Sequence, residues 1–157
     1  RQGALAVSNL AGVLILWLVA RRLRQWGHRL PSAVAWLVAL AIWFDAAGNF
    51  AHLYARFVWW DQIAHAVGSA AVAAALFLTL RAALWQRGNP LSMGHLTLYA
   101  VSLTTLLTVI YEITEYLGDL LFATNRIPSL YDTADDLVWN LLAIIASVDK
   151  SSMLVSW

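Results

Sequence analysis

The chain has 157 residues, of which 61% are hydrophobic and only 12% charged, with nine tryptophans and a net charge of +1. Soluble domains carry about 25% charged residues, so an ordinary soluble fold is excluded, and the near-neutral balance leaves no basic surface for nucleic acid. Cysteine is absent, which excludes disulfides and thiolate metal sites.

A membrane-spanning helix needs about 20 mostly apolar residues. Five stretches qualify in chain order. Gly3 to Ala20 is the first, long enough to be a span rather than a signal peptide, and the arginine-rich stretch Arg21 to Arg29 stops it. Pro31 to Tyr54 is the second, with Pro31 suited to a first helical turn. Asp61 to Trp85 is the third, and a turn rich in Gly, Asn and Pro follows it. His95 to Phe122 is the fourth, and a polar loop reaching Asp132 separates it from the fifth, Thr133 to Val148. The expected fold class is all-α: a single transmembrane helical bundle, residues 1–157, with about five spans.

Positive charge sets the expected orientation. Arg21, Arg22, Arg24, Arg29, Arg81, Arg87 and Lys150 fall at one end of the spans, and Arg1, Arg56 and Arg126 at the other. The richer end belongs in the cytoplasm. The N-terminus is then outside and the C-terminus inside, in a multi-pass protein of the cytoplasmic membrane. Trp26 and Trp85 mark one interface, and Trp59 and Trp60 the other. His28 and His95 read as interfacial residues near arginines. Ala66, Ala70 and Ala74 form a small-residue stripe on the third span, which reads as a helix-packing face.

With this topology the acids converge. Asp45, Asp61, Glu112, Glu115, Asp119, Asp132, Asp135 and Asp136 gather in the outer third, joined by His52 and His65, and only Asp149 lies inside. Asp45, Asn49 and His52 share a helix face by spacing, and His65 lies one turn below Asp61. Carboxylates at helix starts commonly cap free N–H groups, which accounts for Asp61 and Asp132 to Asp136 without any further role. Glu112 and Glu115 resist that explanation. They lie near the C-terminal end of a helix, where the dipole disfavours them. A carboxylate at bilayer depth costs about 2.5 kcal/mol or more unless paired, wet or protonated.

Carboxylates with an imidazole suit Mg²⁺, Ca²⁺, Mn²⁺, Zn²⁺ or iron. The candidate metal ligands are Asp61, His65, Glu112, Glu115, Asp132, Asp135 and Asp136, and the candidate catalytic residues are His65 and Glu112. The cofactor would be a divalent ion of unassigned identity. The competing reading is a hydrogen-bonded network of partly protonated acids. The four-residue step from Asp61 to His65, which lets the carboxylate orient the ring, favours a specific role for His65.

The stretches "DQIAHAVGSAAVA" and "YDTADDLVWNLLA", with a glutamate-bearing helix between them, resemble the VanZ-like membrane proteins. The doubled "YEITEYLGDLLF" and the "YDTADD" run are similar to the related YjdF-type bacterial family. The resemblance covers about Asp61 to Ala146. It implies Asp61, His65, Glu112 or Glu115, Arg126, Ser129, Asp136 and Asn140 as the matching residues. Alanines replace the glycine that follows the Asn in that pattern. It implies a link to glycopeptide resistance, with no reaction attached.

Three functions remain open from the sequence. One is a metal-dependent protein acting on, or binding, an outer-leaflet lipid or envelope headgroup. The second is a non-catalytic accessory subunit that packs against other membrane subunits. The third is an ion or proton pathway, for which the inner two-thirds of spans three to five offer mostly Ser, Thr and Ala, so that a complete relay within one subunit is not expected. No phosphate loop, nucleophile elbow or HExxH helix is present.

Overall fold

The computed structural model describes residues 2–123, 127 and 129–153 of the chain. The described residues are all-helical: α1 (Gln2–Gln25), α2 (Ser32–Phe50), the single turn α3 (Leu53–Arg56), α4 (Val58–Gln86), α5 (Met93–Phe122) and α6 (Asp132–Met153). Three helices are long and apolar enough to cross a membrane: Ser32–Phe50, Trp59–Gln86 and Met93–Phe122. Helix α6 opens with Asp132, Asp135 and Asp136 and carries Asp149 and Lys150 near its end, so its apolar stretch is shorter than the helix itself.

Local chemistry sets the ends. Helix α1 closes in a Schellman motif: His28 N–H donates to Leu23 O at 2.9 Å and Gly27 N–H to Arg24 O at 3.0 Å. Helix α4 ends the same way, with Asn89 N–H on Leu84 O at 3.1 Å and Gly88 N–H on Trp85 O at 3.0 Å. Both motifs need a left-handed residue, supplied by Gly27 (φ 80°) and Gly88 (φ 66°). Ser92 caps α5, its hydroxyl accepting the His95 N–H at 3.4 Å. Asp132 and Asp135 occupy the first turn of α6, where negative charge suits the dipole.

The second apolar run does not remain helical to Tyr54. Helix α2 stops at Phe50, and His52 adopts a left-handed conformation (φ 55°) that starts the turn α3. The break lets Tyr54 fold its ring onto Gly48, where any Cβ would collide with it. Trp60 secures the same corner, donating its indole N–H to Phe44 O at 3.2 Å and packing among Trp43, Phe44 and Trp59. The chain turns here because these aromatic contacts offset the strain of one non-glycine left-handed residue, which costs about 1–3 kcal/mol.

Helix α4 is the hub. It packs most extensively on α6, then on α2 and α5. Its buried residues Ala73, Ala74, Phe77 and Leu78 meet Val34 of α2, Leu96 and Ala100 of α5, and Ile144 and Val148 of α6. The small residues expected to form a packing face also expose the α4 backbone to α6. Ser147 Oγ donates to Ala70 O at 2.8 Å, and Ser69 Oγ donates to Ala66 O at 3.1 Å and to Asn140 O at 3.4 Å. The outward faces are apolar, with Trp36, Leu106, Leu120, Val138 and Ile145 all exposed.

Gly48→Ala is expected to lower stability by about 1–3 kcal/mol, because the Tyr54 ring must be displaced. Thermal unfolding in detergent checks this; an unchanged transition would show that the α2–α3 corner is not held by that contact.

Candidate functional site

The start of α4, the end of α5 and the start of α6 meet at one end of the bundle, and His65 stands where they meet. Its Nε2 lies 3.5 Å from Asp61 Oδ1 on the same helix and 3.8 Å from Asp136 Oδ2 on α6. Its Nδ1 lies 3.4 Å from Glu112 Oε1 on α5 and 3.4 Å from Asn140 Nδ2 on α6. The Tyr111 ring meets the imidazole edge-on, with centroids 5.8 Å apart. Asp136 and Asn140 face His65 because they are one turn apart on α6. Helix α5 presents Glu112 because Leu96, Ala100 and Thr104, at four-residue steps before it, form its buried row.

Charge is crowded here. Asp136 lies within Coulombic reach of Asp61, Glu112, Asp132 and Glu115. Glu112 is the extreme case, with its side chain only 3% exposed. Neither of its oxygens has a hydrogen-bond partner among the described residues. The Thr133 side chain on α6 is the polar group from that helix within reach of the Glu112 carboxylate.

A neutral imidazole offers one N–H donor and one lone pair. If Asn140 donates to Nδ1, the ring N–H lies on Nε2 and serves Asp61 and Asp136, and Glu112 receives nothing. If the N–H lies on Nδ1 and serves Glu112, the Nε2 lone pair points at two carboxylates. Either tautomer leaves one ring nitrogen facing carboxylate oxygen without a proton to offer. A further proton, or a cation on the bare nitrogen, would serve that side.

Two overlapping groups have metal-binding proximity, each with its ligand atoms within 4.8 Å of one another: Asp61, His65 and Asp136, and His65, Glu112 and Glu115. Five of the seven candidate ligands from the sequence therefore come together. Asp132 flanks them, within Coulombic reach of Asp61, Asp119 and Asp135. Asp135 is exposed on the outer turn of α6 and belongs to neither group. Asp119 has a structural task, accepting the Ile127 N–H at 2.8 Å and so tethering the loop after α5. Asp45 pairs within α2, its Oδ1 accepting Asn49 Nδ2 at 3.1 Å. His52 is exposed at the α2–α3 break and does not share the Asp45 face. Arg56 is exposed at the end of α3, and Arg126 lies outside the described residues.

The two remaining histidines belong to the opposite end. His28 is held below its ordinary pKa by burial and by the Arg81 charge. His95 Nδ1 meets Ser92 Oγ at 2.7 Å in the α5 cap. Two contributors to the site lacked a clear signal. Ser69 lies beside the small-residue stripe of α4, and no spacing or motif singled out Tyr111. A polar residue one turn below His65, and an aromatic next to Glu112, were the available cues.

In metal-free protein, Glu112→Gln is expected to raise stability by about 1–3 kcal/mol, since it removes a buried charge that lacks a donor. Thermal unfolding after chelator treatment checks this; a marked loss would show that the carboxylate is already satisfied.

A family model described as a predicted membrane protein, DUF2238, matches residues 1–151. No curated protein and no solved structure matches the chain. With nearly its whole length covered, the chain belongs to the DUF2238 family of predicted membrane proteins.

Proposed function

We propose that this chain is a multi-pass protein of the bacterial inner membrane whose Asp61–His65–Asp136 group binds a divalent cation, and that the site binds or acts on a lipid or envelope headgroup at the outer leaflet. The observation that carries the reading is Glu112: a carboxylate at 3% exposure, without a hydrogen-bond partner among the described residues, 3.4 Å from a histidine nitrogen. A cation on the Nε2 side supplies the missing positive charge. It also fixes the ring N–H on Nδ1, where Glu112 can accept it, in the arrangement by which carboxylates orient metal-bound histidines. The Asn140 amide turned over would then present its oxygen to that N–H.

The five-span topology with the N-terminus outside supports the direction of access. In that frame Asp61, 29% exposed, opens the site outward, whereas Glu112 closes it toward the core. Asp132 and Asp135 form an acidic rim that attracts cations to the opening. The resemblance to VanZ-like and YjdF-type proteins adds weight, because its matching residues Asp61, His65, Glu112, Asp136 and Asn140 come from three separate helices and meet around one imidazole. Carboxylate oxygens with a single imidazole favour hard or borderline ions such as Mg²⁺, Mn²⁺ or Zn²⁺. Without the cation, His65 is the group suited to exchange protons with a substrate, and Glu112 the carboxylate that orients it.

Elemental analysis of detergent-purified protein, loaded with Mn²⁺ or Zn²⁺ and washed, is expected to find about one ion per chain. His65→Ala and Asp136→Asn should abolish retention with helical content preserved, and Asp135→Asn should keep it. Stoichiometric metal in His65→Ala, or none in the loaded wild type, would overturn the metal site. The second result would point to a polar network within an accessory subunit.

A further inference from the structure

The end of the bundle away from His65 collects positive charge on the last turns of α1, in the loop to α2 and at the end of α4. Most of these arginines have local partners. The Arg21 guanidinium lies 5.2 Å from the Trp17 ring centre and that of Arg22 lies 4.8 Å from Trp26. Arg22 also donates to Gln25 Oε1 at 3.3 Å, and Arg81 donates to the Met93 sulfur at 3.7 Å. Arg24 and Arg29 border a groove. Together with Ala20 and Leu30 they line its volume of about 470 Å³ between the end of α1 and the start of α2. The groove is shallow and open, with both arginines exposed at its edge.

The groove is a built feature. The Schellman turn at Gly27 sets the path of the chain from Arg24 to Arg29. Gln86 Nε2 donates to Trp26 O at 2.9 Å and ties that turn to α4. Leu23 is buried beneath it at 1% exposure. Arg24 Nε donates to Ala20 O at 3.3 Å, which holds the side chain along the helix at the groove.

Two guanidiniums over an apolar floor select a ligand with both characters. A phosphodiester offers the oxygens that guanidinium forks grip in pairs. The apolar floor of Ala20 and Leu30 calls for hydrocarbon beside that charge. Neighbouring turns expose more of it: Trp17 and Leu18 on α1, and Trp36 on α2. We infer that this groove binds an anionic phospholipid, with its phosphate between Arg24 and Arg29 and its acyl chains along α1 and α2. Basic pockets between membrane helices hold anionic headgroups by the same chemistry. Inorganic phosphate shares the headgroup chemistry but would leave the apolar floor bare.

The test uses native mass spectrometry of the full chain released from mixed micelles of dioleoylphosphatidylglycerol and dioleoylphosphatidylcholine. The wild type is expected to retain phosphatidylglycerol preferentially. The double variant Arg24→Gln, Arg29→Gln should lose that retention about tenfold, as for removal of two charge-assisted contacts. The control Arg21→Gln, Arg87→Gln removes the same charge and should retain it. Equal loss in both doubles would overturn the groove in favour of diffuse electrostatics. Equal retention of the two lipids by the wild type would also overturn it. Stabilisation of the wild type by inorganic phosphate, lost in the Arg24 and Arg29 double while lipid retention stays unchanged, would assign the groove to a free anion instead. Circular dichroism of each variant shows that the helices remain folded.

Discussion

One constraint organises this end of the molecule: the Glu112 carboxylate is buried beside His65 in a crowd of other carboxylates. A buried carboxylate must be protonated, paired or coordinated. That requirement couples three helices. Helix α5 brings the acid, α4 the imidazole, and α6 supplies Asp136 and Asn140 to the same ring. Because a neutral imidazole has only one proton to share, these groups are not independent. Whatever occupies the Nε2 side decides what Glu112 receives on the Nδ1 side.

The two ends of the bundle solve opposite electrostatic problems. One concentrates carboxylates around a single histidine. The other concentrates arginines and settles several of them on indoles, a glutamine and a thioether. Between them lies a hydrocarbon core built on Phe77, with α4 touching α2, α5 and α6. The separation keeps the two sets of charges from neutralising each other across the protein. The two proposed ligands follow that division, a cation for the acidic end and an anionic headgroup for the basic one.

Much of this was legible in the sequence because long apolar helices joined by short connections run antiparallel, which determines which ends meet. The convergence of Asp61, His65, Glu112, Glu115 and Asp136 follows from antiparallel helices alone. Distinguishing Glu112 from Glu115 was not possible that way, since both lie on one helix face and only tertiary packing makes the first the more buried. His52 was misplaced because spacing arguments assume an unbroken helix. The break at Ala51 and His52 depends on the Tyr54 ring against Gly48, a tertiary contact with no local signature. Asp135 and Asp136 are neighbours in sequence, yet one is exposed and the other 2% exposed, because adjacent residues on a helix point about 100° apart. The reach of Ser69 and Ser147 to backbone carbonyls was hidden for a similar reason: composition marks where helices approach, and not which hydroxyl finds which carbonyl.

Helix α4 carries both His65 and Phe77, the one in the polar site and the other in the centre of the core. Each inserted or deleted residue between them would turn one relative to the other by about 100° and slide it about 1.5 Å. The segment is therefore frozen in length. Change in this chain can proceed by substitution along α4 or by lengthening the connection after α5, while α4 itself acts as a ruler that tolerates no new divisions.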